Sequence, residues 1–165
     1  MKICPHRYLP EYDVSVWVDG NIEILCDIWS EFLPTLDFSE HDVWTRKHPS
    51  RDCIYDEEIA VVALGKADIS ETRRQMVSYA REKFPQHYGL CETNIMARKH
   101  NSKGCADLMN LWCSQILNYS HRDQLSFNYC LWKLDYKIGF IDGMFRPSRN
   151  GSMFRIYKHS NRLLH

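Results

Sequence analysis

Asp19, Gly20 and Asn21 place a carboxylate and an amide oxygen two residues apart across a glycine. Two such oxygens suit a hard divalent cation that keeps several of its own waters. The same tripeptide also makes a plain turn, because Asp-Gly and Gly-Asn are ordinary turn dipeptides. Asp123 and Gln124 offer a second carboxylate and amide. A carboxylate can take a proton from a hydroxyl as a general base. An acid at that place also suits the first turn of a helix. His48 and Arg51 stand in the polar turn 48–52, where they could face phosphates or serve the turn itself. Asp56, Glu57 and Glu58 read as the acidic, solvated start of a helix rather than as catalysts.

Residues 12–21 position the first pair. Val14, Val16 and Val18 alternate with Ser15 and Trp17, the period of a strand. Few charges interrupt it, which predicts a central strand covered on both faces. Ligands bind just past the carboxyl ends of strands in open α/β sheets. Residues 1–11 contain two prolines and no period, as though an earlier part of a domain had been cut away. Ile22 and Ile24 suggest a short extension. Asp27 would cap a helix over 28–33, ending near Pro34, and 41–47 read as a strand. Asp52 is the expected N-cap of a helix that runs on through 59–64 and stops near Gly65. Ser70 would cap the next, with Met76, Val77, Ala80 and Phe84 on one face until Pro85. Residues 89–98 read as a turn and a short strand. Leu108, Leu111, Trp112 and Ile116 mark a helix of about four turns. Ser120 or His121 would open another, striped by Leu125, Tyr129 and Trp132. Residues 136–142 read as a final strand. The tail from Gly143 is basic, with Arg146, Arg149, Arg155, Lys158 and Arg162, and suits either solvent or phosphate.

Strands alternating with helices indicate an α/β class with a mixed sheet. The 165 residues fit one domain, 1–165, and 44% hydrophobic residues supply a core. Twenty-one basic and 21 acidic residues cancel, so charge makes no case for nucleic acid or an anionic membrane as partner. Seven scattered cysteines without a C-x-x-C read as buried thiols in a reducing compartment. The absence of a signal-peptide core and of an apolar run near about 18 residues predicts a chain without a transmembrane segment, placed in the cytoplasm.

Residues 12–21, 48–57, 89–98 and 122–127 together resemble the glycosyltransferase-like domain of plant mucilage and turgor-regulation proteins and their bacterial relatives. The similarity spans most of residues 2–135, in order. It implies a GT-A-like fold, a nucleotide-sugar donor, a glycan or other hydroxyl acceptor, and a divalent metal, Mn2+ or Mg2+. Asp19 and Asn21 fall on the Asp-x-Asp motif that would hold this metal against the donor diphosphate, with Asn in place of the second Asp. Asp123-Gln124 is similar to the Asp-Gln pair of glycogenin-type transferases, implying Asp123 as base or charge stabiliser and Gln124 as a sugar-positioning residue. Glu92, Asn94 and Arg51 fall where donor or acceptor would bind, and His159 is a candidate third metal ligand. The resemblance also implies a nucleotide-binding region ahead of the Asp-x-Asp strand, where about a dozen residues stand here. That shortening, with Asn21, raises the alternative of a non-catalytic carbohydrate- or protein-binding relative. A glycoside hydrolase using Asp19 and Asp123 would require their carboxyl groups roughly 5–10 Å apart.

Overall fold

The computed structural model describes residues 1–141 and 152–157. In chain order the helices and strands are α1 (Pro5–Tyr8), β1 (Ser15–Val18), β2 (Ile22–Ile24), β3 (Val43–Lys47), α2 (Ile54–Ala63), α3 (Ile69–Arg81), β4 (Cys91–Arg98), α4 (Lys103–Asn118), α5 (Gln124–Lys133), β5 (Gly139–Phe140) and β6 (Phe154–Ile156). The main sheet has the order β1-β4-β3-β5. β1 and β3 each pair antiparallel with β4, while β5 runs parallel to β3, so the sheet is mixed as expected. β2 and β6 form a separate antiparallel pair.

β4 divides the core. Met96 enters an apolar cluster with Ile54 and Val61 of α2, Met76 and Tyr79 of α3, Leu108 and Trp112 of α4, and Leu125 and Phe127 of α5. Ile95 and Ala97 enter a second cluster with Ile22, Phe32, Leu36 and Phe154. Helices cover one face of the sheet, and the β2–β6 pair with the segment around Phe32 covers the other. The strand buried on both faces is therefore β4, not the stretch 12–21. β1 is only four residues long, part-buried throughout, and pairs on one side alone among the described residues. Alternation marked it correctly as a strand, but its place in the sheet depends on non-local pairing that alternation does not encode.

Several helix starts fall beside the expected residue. Asp27 caps as predicted, accepting from the backbone of Trp29 and Ser30, but the turn it opens is π-helical over Ile28–Phe32 and then 3-10 over Leu33–Thr35. Cys53, not Asp52, is the N-cap of α2, because the Asp52 carboxylate pairs with His87 at 2.7 Å. Asp68 caps α3 in place of Ser70, whose backbone and hydroxyl both donate to it. Asp123 itself caps α5, displacing Ser120 and His121. Glu57 and Glu58 are buried rather than solvated. α2 ends where predicted: Gly65 takes φ +64, the left-handed value that glycine adopts without penalty. Of the expected strand 136–142, Gly139 and Phe140 pair within the described residues. No described helix is long and apolar enough to cross a membrane, and the seven cysteines are free.

Candidate functional site

The carboxyl end of β1, the middle of β4 and the N-terminus of α5 meet at a cleft of about 590 Å³. Asp19, Asn21, Arg51, Glu92, Asn94, Asp123 and Gln124 all line it. So do Lys2, His48, Glu57, Lys66, Thr93, His121 and Arg122. His159 lies outside the described residues.

Asp19 extends the β1–β4 ladder by one step, its backbone N–H donating to the Asn94 carbonyl at 2.8 Å. Its own carbonyl accepts from Ile22 at 3.0 Å, closing a turn over residues 19–22. Gly20 does not take a positive φ there, and a Cβ added to it would meet nothing within 4 Å. The turn thus places Asp19 in the lining of the cleft. Asn21 behaves differently. Its backbone carbonyl accepts from Tyr157 and its side-chain amide donates back to the Tyr157 carbonyl, both at 2.9 Å, which ties the turn to the end of β6.

Asp123 is held more deeply. Its Oδ1 caps the Gln124 N–H at 2.9 Å, and its Oδ2 accepts from the buried Thr93 hydroxyl at 3.1 Å. Its backbone carbonyl accepts from Nε1 of the fully buried Trp112 at 3.0 Å. The Gln124 amide reaches back to the Cys91 carbonyl at 3.4 Å, a long hydrogen bond. Asp123 therefore caps α5 with one oxygen and holds the other between Thr93 and Lys2 in the lining of the cleft.

One ammonium joins the two carboxylates. Lys2 Nζ lies 2.5 Å from Asp123 Oδ2 and 3.2 Å from Asp19 Oδ1. The facing oxygens are thus no further apart than those two distances laid end to end. Asp19 Oδ1 also accepts from Trp17 Nε1 at 2.7 Å, and the Lys2 ammonium lies 5.8 Å from the centre of the same indole ring. The other carboxylates in the lining are paired as well. Glu92 meets Arg46 at 2.6 Å and Glu57 meets Arg51 at 2.5 Å. Lys66 and Arg122 line the cleft with no carboxylate partner among the described residues.

His48 braces this wall. Its Nδ1 faces the backbone N–H groups of Arg51 at 3.0 Å and Ser50 at 3.3 Å, so Nδ1 accepts and the neutral ring carries its proton on Nε2. Burial pushes its pKa below the ordinary value, the Glu57 carboxylate 3.8 Å away pulling the other way.

A divalent ion at Asp19 and Asn21 would have to share this cleft with the Lys2 ammonium. It would need several oxygens free to ligate. Every carboxylate lining the cleft is already paired with a cation, and the Asn21 side chain is held at Tyr157 through its amide N–H, so an ion there would meet oxygens of which several are already engaged. Three potential ligand atoms within 4.8 Å of one another occur instead at Cys53, Asp56 and His87, which do not line the cleft.

Lys2 was the residue hardest to foresee. A single lysine in a proline-containing stretch without period gives no signal, and what places it is tertiary. Glu57 was equally hidden, since an acid in a first helical turn has a sufficient local explanation.

The model of the TOD1/MUCI70 glycosyltransferase-like domain matches residues 1–159, and the chain belongs to that family. It is 26% identical over 163 residues to the probable hexosyltransferase MUCI70 of Arabidopsis thaliana, covering 87% of this chain and 26% of that protein. It is also 26% identical over 141 residues to the alkaline ceramidase TOD1 of Arabidopsis thaliana, covering 78% of this chain and 29% of that protein. The chain thus spans little more than a quarter of the length of the curated relatives it matches. No solved structure matches it.

Proposed function

We infer that this member of the TOD1/MUCI70 glycosyltransferase-like family moves a sugar from a nucleotide-diphosphate donor to an acceptor hydroxyl. The observation that carries the proposal is the convergence of Asp19 and Asp123 on one ammonium within one cleft. Transfer breaks the bond between the anomeric carbon and the diphosphate oxygen and forms a new bond to the acceptor oxygen. The acceptor proton passes to a carboxylate, and the diphosphate leaves with the bonding pair. Asp123 is assigned the carboxylate role through Oδ2, which meets Lys2 and the Thr93 hydroxyl, while Oδ1 is occupied by its cap. Gln124, Asn94 and Glu92 are assigned to sugar hydroxyls. Arg51, Arg122 and Lys66 are assigned to the phosphates, whose growing charge is best offset by groups already in place.

The two relatives carry names for different reactions, sugar transfer and ceramide cleavage. The lining favours the first. Apolar side chains in it are few, Val61, Leu64 and Ile156, which offers little to the alkyl chains of a ceramide. Charged side chains dominate the rest.

Incubation with a panel of nucleotide-sugars and simple glycan acceptors, with and without Mn2+, should release nucleoside diphosphate. Asp123→Asn keeps a good N-cap and removes the base, so the fold should persist while turnover falls at least about 100-fold. Glycan binding without nucleotide release, unaffected by Asp19→Ala, would assign the non-catalytic alternative instead.

A further inference from the structure

We propose that the ammonium of Lys2 is the resident cation of this cleft, doing the work expected of a divalent metal. The proposal rests on the reading of the cleft as a nucleotide-sugar site. Lys2 stands between the two carboxylates that a bound metal would be expected to draw together. It is not a loose terminal side chain. The guanidinium of Arg98, at the end of β4 and 1% exposed, donates to the Lys2 backbone carbonyl at 2.5 Å. Burying that guanidinium is costly enough to push its pKa down to about 10, and the Lys2 carbonyl is its protein oxygen partner. The residues after Lys2 are fastened too. Ile3 packs on the larger apolar cluster, Cys4 is buried, and the Leu9 carbonyl accepts from the His100 ring at 2.8 Å. The fold therefore fixes the backbone at this lysine and after it.

The charge arithmetic of the cleft points the same way. Lys2, Asp19 and Asp123 together carry one net negative charge. Arg51 with Glu57, and Arg46 with Glu92, cancel. Lys66 and Arg122 add two positive charges without carboxylate partners among the described residues. A diphosphate can thus be met by protein cations alone, with Lys2 reaching it by the ammonium proton not committed to the carboxylates. A divalent ion approaching the cleft would compete with the ammonium for Asp19 Oδ1 and Asp123 Oδ2. Arg98 is by the same geometry a positioning residue for Lys2.

The test is calorimetric titration of uridine and guanosine diphosphate into the protein, in EDTA and again in Mn2+, for the parent chain, Lys2→Met and Lys2→Arg. The parent should bind equally, within about twofold, in both conditions. Lys2→Met should lose at least about tenfold in EDTA, the worth of one charge-assisted hydrogen bond, and Lys2→Arg should retain most of it. Titration of Mn2+ into the unvaried protein, read by electron paramagnetic resonance, should show no bound ion that Asp19→Asn abolishes. Diphosphate binding that appears only with Mn2+, or an Asp19-dependent bound ion, would overturn the lysine assignment and leave the transferase reading standing. Failure of either diphosphate to bind in any condition would overturn both.

Discussion

The cleft has two walls of different build. Thr93, Asp123 and Gln124 rise from β4 and α5, where Ile95, Met96, Leu125 and Phe127 are all wholly buried. Asp19 and Asn21 rise from the turn after β1, an edge strand with every residue part-exposed. In the deep wall the core sets the position of the functional carboxylate: Trp112 and Thr93 hold Asp123 from behind. In the thin wall the functional carboxylate is steadied by the Trp17 indole of its own strand and by Lys2 reaching across to it. The difference teaches that Asp123 should tolerate changes at the edge, whereas Asp19 should respond to each of its few partners.

The sharpest way to break this contrast is Trp112→Ala. It removes the largest fully buried side chain and the donor to the Asp123 carbonyl, so unfolding free energy should drop by about 3–5 kcal/mol in a denaturant titration. If the cost is near that of an edge substitution, the deep wall is not what fixes Asp123. Trp17→Phe probes the other wall. It keeps the ring that packs on the larger cluster but deletes the N–H to Asp19 Oδ1. Stability should fall by about 1 kcal/mol, while nucleoside diphosphate binding weakens severalfold. An unchanged affinity would show that Asp19 does not depend on the Trp17 N–H.

Much of this division was not legible in the chain. The strand character of β1 and β4, the helix stripe through Leu108 and Trp112, and the stop at Gly65 all follow from local periodicity and turn chemistry. Which strand is central does not, because edge and centre differ only in partners distant in sequence. The caps at Asp68 and Asp123 were missed by a few residues, since each lies close to a Ser able to do the same work. The seven residues singled out from the sequence do line one cleft, having been drawn from motif blocks. The cation between Asp19 and Asp123 was invisible, because nothing local to Lys2 announces Arg98 behind it.

The loop 48–52 contributes His48 and Arg51 to the lining of the cleft, and pH tests its bracing. His48 has its pKa depressed by burial below the ordinary 6.5. The unfolded chain therefore binds the proton first, and this group's contribution is full above that value and lost as pH falls below it. His48→Gln should flatten the acid-side decline of melting temperature beginning near 6.5. An unaltered pH profile would mean that the ring is not held neutral. The smallest effect is expected at the turn. Gly20→Ala should change stability by less than about 0.5 kcal/mol, since neither backbone angle nor space requires glycine there. A larger loss would mean that the turn is tighter than described.

The central claim is that Asp19 and Asp123 flank a bound nucleotide diphosphate. A crystal structure of the protein grown with a nucleoside diphosphate and no divalent ion tests it most directly. The phosphates should lie in the cleft between the Asp19 turn and the N-terminus of α5, within hydrogen-bond reach of Lys2 and Arg122. A nucleotide seated elsewhere, or a cleft left empty at saturating nucleotide, would contradict it.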